Sequence, residues 1–177
     1  MTLRLFSSVL VLTALATGCT PSFEADLTEV EVTQRGVKVA AMPGTTPAGD
    51  VSVTSAFTLS SSDTAWAKRV NSDVLVHSVK IALGGSLPNL DFVDLARTTV
   101  AAFARPDSTT EVMNYDRATD APSGSAIEVD MPVPVDITIP WSADKTVIEI
   151  QFVGQLPAQD WTVDVTLKLS GKITYEY

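Results

Sequence analysis

The residues of this chain that could do chemistry are few and dispersed. Its 177 residues include one cysteine, Cys19, and one histidine, His77. Zinc and copper sites draw on clusters of His and Cys, which this chain cannot build. A Ser–His–Asp arrangement would have to recruit His77, and no Gly-x-Ser-x-Gly elbow is present. His77 stands among Leu75, Val79 and Ile81, the setting of a half-buried strand imidazole. Carboxylates are the remaining catalytic option. Asp91 with Asp94, or Glu128 with Asp130, could form a glycosidase pair, yet each reads as part of a solvated face. Calcium needs only oxygen ligands, and Asp107, Asp116 and Asp120 lie in or beside the polar loops flanking residues 110–115, without EF-hand spacing. A glycan platform needs an exposed ring. Trp66 follows the turn of Ser60 to Asp63 and lacks a strand partner pattern, so it is either that ring or a plug over one end of the fold. Trp141, Trp161, Tyr175 and Tyr177 continue apolar stripes and read as core. These groups converge on no reaction, and the sequence predicts no enzyme.

Cys19 differs from the rest because of what precedes it. Arg4 supplies a positive start, Leu5 to Ala16 is a mostly apolar run, and Thr17-Gly18 leads into the cysteine. That is the layout of a secretory signal. The apolar run is shorter than the roughly 18 to 20 residues a membrane span needs. Ala16-Thr17-Gly18-Cys19 resembles the lipobox of bacterial lipoproteins, with Ala16 where leucine is commoner. The resemblance covers about the first tenth of the chain. It implies cleavage before Cys19, diacylglycerol on its sulfur and an acyl group on the new amino terminus. Two or more acyl chains hold a protein stably at a bilayer, whereas one holds it only marginally. Residues 1–18 are then a removed signal peptide, 19–26 the lipidated cysteine and a tether, and 27–177 a single domain. Thr20 stands where, in diderm bacteria, a residue other than aspartate resembles the outer-membrane sorting signal. The resemblance therefore implies the outer membrane if the organism is a diderm. The alternative is an ordinary secretory signal with an incidental cysteine.

Loss of the first 18 residues would leave 159, enough for one domain with a real core. It would also remove Arg4, leaving 11 basic against 21 acidic groups, so the net charge of −9 becomes −10. Such a surface repels nucleic acid and anionic headgroups, which excludes DNA binding and a polybasic membrane contact. With Cys19 acylated, no thiol would remain for a disulfide, so packing alone must hold the domain. The tether, Thr20 to Asp26, reaches at most about 25 Å when extended.

Beyond Phe23 the chain reads as strands rich in Val, Ile and Thr, separated by turn residues. Val30 and Val32 share one parity, Val37 and Val39 the other. A two-residue turn at Arg35-Gly36 would reconcile them by pairing Val32 with Val39; a glycine bulge is the alternative. Val51 to Leu59 is a half-buried strand, and Asp63 could cap one or two helical turns through Val70. Leu75, His77, Val79, Ile81 and Leu83 form one apolar side of the next strand. A single helical turn at Leu90 to Leu95 precedes a strand from about Arg97 to Ala104, where the alanines make helix a competitor. A short strand spans Thr110 to Tyr115.

From Ile127 to Trp141 every second residue is apolar, and Pro132, Pro134 and Pro140 share the other parity. Prolines confined to one side remove donors from that side only, as an edge strand tolerates. Two shorter strands joined by Pro-Val-Pro would keep the same face. Ile148, Ile150 and Phe152 face inward on the following strand. Trp161 to Tyr177 keeps one apolar parity throughout, which favours a single long strand bent at Gly171 over a hairpin.

About seven to nine strands, with at most one or two short helical turns, predict an all-β fold: an antiparallel β-sandwich of immunoglobulin-like type, with a closed barrel as the alternative. Leu90-Asp91-Phe92-Val93-Asp94 and Pro157-Ala158-Gln159-Asp160-Trp161 resemble features of exported β-sandwich lipoproteins and carry no functional residues. The expected function is that of a non-enzymatic cell-envelope lipoprotein, an interaction or structural module at the membrane surface. Its expected partners are the bilayer, through the acyl chains, and an envelope protein or glycan. The expected cofactor is none beyond the lipid on Cys19. The alternative is a glycan-binding module using Trp66 or a calcium-binding one using Asp107, Asp116 and Asp120.

Overall fold

A computed structural model describes residues 22–41, 51–60, 70–85, 87–120, 124–141 and 145–176. Among them run eight strands: β1 (Ser22–Val39), β2 (Val51–Ser60), β3 (Val70–Leu83), β4 (Val93–Ala102), β5 (Arg105–Asp116), β6 (Ala126–Asp136), β7 (Lys145–Gly154) and β8 (Trp161–Glu176). One helical turn, α1 (Thr138–Trp141), links β6 to β7. The strands form two antiparallel four-stranded sheets, in the orders β1-β8-β3-β6 and β2-β7-β4-β5. The expected antiparallel sandwich is what the chain adopts. Within that class the connections follow jelly-roll order: only β4 and β5 are both consecutive and paired, and most connections cross from one sheet to the other. The helix considered over Val100 to Ala104 is not formed, because Val93–Ala102 is strand paired on both sides, with β5 and β7.

The central strands carry the core. On β7, Ile148, Ile150 and Phe152 are fully buried, and on β8 Trp161, Val163, Val165, Leu167 and Leu169 are buried in strict alternation. Each such aliphatic side chain contributes about 1.5–3 kcal/mol on leaving water. β8 is one continuous strand, as the unbroken parity requires. It passes Gly171 so closely to β3 that a Cβ there would meet the carbonyl oxygen of Asp73.

Two expectations about faces are corrected by bulges and one by a helix. β1 does not turn at Arg35-Gly36; the alternative holds. Gln34 pairs with Val165 and Val37 with Val163, so Arg35 and Gly36 together oppose Asp164, with Gly36 at φ 65°. The bulge is tied by the Gly36 N–H, which donates to Asp164 Oδ1 at 2.9 Å. A second bulge at Thr28 and Glu29 opposes Ser170. β3 bulges too: Val76 pairs with Leu169 and Ser78 with Lys168, which leaves His77 as the extra residue. The inward face therefore reads Val74 and Val76 before His77, then Val79 and Ile81 after it, with Leu75 only half-buried.

β6 is an edge strand, paired with β3 alone, as its prolines predicted. It stops at Asp136, whose Oδ1 accepts from the Thr138 N–H at 2.8 Å, and the chain turns into α1. Residues 138–141 thus leave the stripe that continued to Trp141, and Ile139 is 71% exposed. Ile137 remains fully buried. The strand pairing of β1 also begins at Ser22, so Ser22 to Asp26 of the expected tether is strand paired with β8.

Candidate functional site: the two ends of the sandwich

Strand direction gives the sandwich two distinct ends. At one, β1 begins opposite the end of β8, β3 begins, and β6 ends and gives way to α1. In the other sheet the same end holds the start of β7, the close of β2 and the β4–β5 turn, because Thr146 Oγ1 at the head of β7 donates to the Pro140 carbonyl of α1 at 2.9 Å. The opposite end holds the β3–β4 and β5–β6 connections and the start of β8.

The candidate carboxylates divide between these ends. Asp107 lies in the exposed swelling of β5 between Arg105, opposite Ala102, and Thr109, opposite Ala101. Asp116 stands opposite Leu95 at the far end. Asp107 lies beside the Ala101–Ala102 end of β4 and Asp116 opposite Leu95, six residues away on β4, so at about 3.3 Å per residue the two are roughly 20 Å apart and the proposed calcium trio is not assembled. Asp116 and Asp120 are near each other, but their carboxylates serve their own loop. Asp120 Oδ2 accepts from the Asp116 N–H at 2.7 Å, and Asp116 Oδ1 from the Ala118 N–H at 2.8 Å. Among the described residues no group of three or more His, Cys, Asp and Glu side chains is placed to hold a metal ion.

Asp94 and Asp91 meet Arg117 rather than a shared substrate space. Arg117 Nη1 lies 3.6 Å from Asp94 Oδ1 and donates to the carbonyl oxygen of Asp91. In the second candidate pair, Glu128 binds Lys80 Nζ at 2.7 Å. That hydrogen bond, with the charge attraction behind it, raises the Lys80 pKa. His77 Nε2 lies 2.6 Å from Ser170 Oγ in a half-buried position. This is the satisfied imidazole the sequence predicted. Cys19, Trp66 and Tyr177 lie outside the described residues, as do the side chains of Trp141 and Tyr175.

Trp161 is core, packed edge-on against Phe92 at 5.2 Å and tilted against Phe152 at 5.0 Å. Its Nε1, and Oγ1 of the fully buried Thr98, have no hydrogen-bond partner.

The near end carries features that no motif announced. Phe103, in the β4–β5 turn, is 59% exposed, and Lys145 Nζ sits 5.4 Å from its ring centroid. The Phe103 N–H donates to the Lys145 carbonyl at 2.9 Å, and the next residue along β7 binds Pro140, beside the exposed Ile139. Phe103 and Ile139 therefore flank the head of β7. The sequence did hold a signal for α1, an Asp two residues before a Thr and a Pro inside the first turn. The apolar parity masked it.

No family model matches the chain, and no curated protein matches it. Among solved structures, it is similar to the decameric BFDV capsid protein, at 13% identity over 86% of this chain and 99% of that one, with a TM-score of 0.36. It is also similar to a structure of Cocksfoot mottle virus, at 10% identity over 99% and 96% of the two chains, TM-score 0.38. A third is the family 32 CBM from C. perfringens NanJ in complex with galactose, at 9% identity over 80% and 99%, TM-score 0.29. At such identities and TM-scores no function passes across these likenesses.

Proposed function

We propose that the chain is an exported lipoprotein, acylated at Cys19, whose sandwich domain is a non-enzymatic interaction or structural module held at a membrane surface. The observation that carries this reading is the Arg4, Leu5–Ala16 and Ala16-Thr17-Gly18-Cys19 succession, with the chain's single cysteine at the cleavage position. Two features support it. β1 begins at Ser22, which brings the domain within three residues of Cys19. Of the carboxylates considered for catalysis, Asp94 is ion-paired with Arg117 and Glu128 with Lys80. In a diderm organism the membrane is the outer one, since Thr20 rather than aspartate follows the cysteine.

Crosslinking in intact cells tests the module. It should recover at least one envelope protein in a complex that Cys19→Ser abolishes. Robust hydrolytic activity of the purified protein, with no crosslinked partner, would defeat the reading.

A further inference from the structure

We infer that the end of the sandwich carrying Phe103 and Ile139 is a docking face for the bilayer to which the chain is anchored, with these two side chains seated at the headgroup–acyl boundary. The inference rests on the anchor proposed above and adds the face, the orientation and the residues.

Four large hydrophobic side chains are exposed among the described residues: Leu95, Phe103, Val133 and Ile139. Single exposed apolar residues are ordinary, but their distribution here is not even. Phe103 and Ile139 flank the head of β7, and Val133 lies three residues before the end of β6, toward the same end. Leu95 alone stands at the opposite end, across from Asp116. The end that gathers the three is the one at which β1 begins.

That coincidence chooses the occupant. Cys19 precedes Ser22 by three residues, which span about 10 Å at most. Acyl chains on Cys19 would therefore keep this end, and not the far end of Asp94, Asp116 and Asp120, against the lipid. The near end carries charge of both signs: Lys145 stands over the Phe103 ring and Arg105 follows within two residues, while Asp73, Asp107 and Asp136 and the strand positions of Glu24, Asp26 and Glu176 are acidic. With the net charge of −10 left by loss of residues 1–18, attraction over a distance is absent, so the contact is apolar and short-ranged and relies on the anchor for its local concentration.

The test uses the full-length acylated protein in phosphatidylcholine vesicles. Acylation consumes the only native thiol, so a cysteine introduced by Phe103→Cys, Ile139→Cys or, at the far end, Thr119→Cys can be labelled alone with an environment-sensitive fluorophore. The proposal expects the labels at 103 and 139 to shift to the blue and to be quenched by spin-labelled lipid, while the label at 119 does neither. Circular dichroism matching the parent shows that each variant is folded; Ile139, on α1 and outside the β4–β5 turn, carries the test should the Phe103 variant misfold. Labels at 103 and 139 as aqueous as that at 119, on protein whose mass shows the acyl groups, overturn the docking face and leave the anchor standing. Equal quenching at all three sites also overturns it. A mass without acyl groups overturns the anchor, and the docking face with it.

Discussion

His77 Nε2 lies 2.6 Å from Ser170 Oγ, which ties the extra residue of the β3 bulge to the central strand β8. A bulged residue has no ladder position of its own, so this contact is what fixes its direction. His77→Ala should cost about 0.5–1.5 kcal/mol, the net value of one hydrogen bond, read as a shift in urea midpoint with unchanged slope. Deleting His77 should remove the bulge without exchanging faces, because Val76 and Val79 would then stand two positions apart and Val74, Val76, Val79 and Ile81 would share one parity. A retained folded spectrum is the expected outcome of the deletion, and loss of it would contradict the assignment of His77 as the extra residue.

Thr98 Oγ1 is a buried oxygen without a hydrogen-bond partner, on a side chain with no exposure. A hydroxyl so placed loses water and gains nothing in return. Thr98→Val replaces it with a methyl of similar size and should stabilise the domain by about 1 kcal/mol, seen as a higher Tm.

Two glycines should respond oppositely to the same kind of change. Gly171→Ala places a Cβ against the Asp73 carbonyl and forces β3 and β8 apart, at a cost of about 1–3 kcal/mol. Gly36 has open space around it, and only its φ of 65° resists a side chain. Gly36→Asn, which tolerates that conformation, should be milder than Gly36→Val. Chemical denaturation of the four proteins ranks them directly.

The sandwich was legible because its two central strands, β7 and β8, alternate without interruption: Ile148, Ile150 and Phe152, then Trp161 through Leu169. The edge position of β6 was legible from Pro132 and Pro134, since proline reports on backbone donors irrespective of tertiary context. Faces were misread wherever a bulge adds one residue, as at His77, because parity counts residues and a bulge changes the count without changing composition. α1 was hidden for a related reason: Ile137 and Ile139 keep the strand parity while Asp136 ends the strand. Phe103 and Ile139 could not be grouped in advance, since 36 positions separate them and only the crossing connections bring them to one end. The jelly-roll order is likewise a property of long-range pairing, which local alternation does not encode.

Asp136 offers a pH test of α1. Hydrogen bonds from the Thr138 side chain and backbone lower its pKa below the ordinary 3.8. A group so shifted stabilises the fold above its unfolded pKa, and that contribution is lost as pH falls through the folded value. Asp136→Asn should therefore be less stable than the parent at pH 7, with the difference shrinking as pH drops below about 4. The urea midpoint of both proteins between pH 7 and 3 checks it; a constant difference across that range would show that the carboxylate charge has no part.

The central claim is that Cys19 carries lipid, and the intact mass of the protein purified from membranes tests it most directly. The account predicts a polypeptide beginning at Cys19 and heavier than its sequence by a diacylglycerol, with or without a further acyl group, and predicts that Cys19→Ser leaves the protein uncleaved and without lipid. A mature polypeptide that begins at any other residue and matches its bare sequence mass would contradict it.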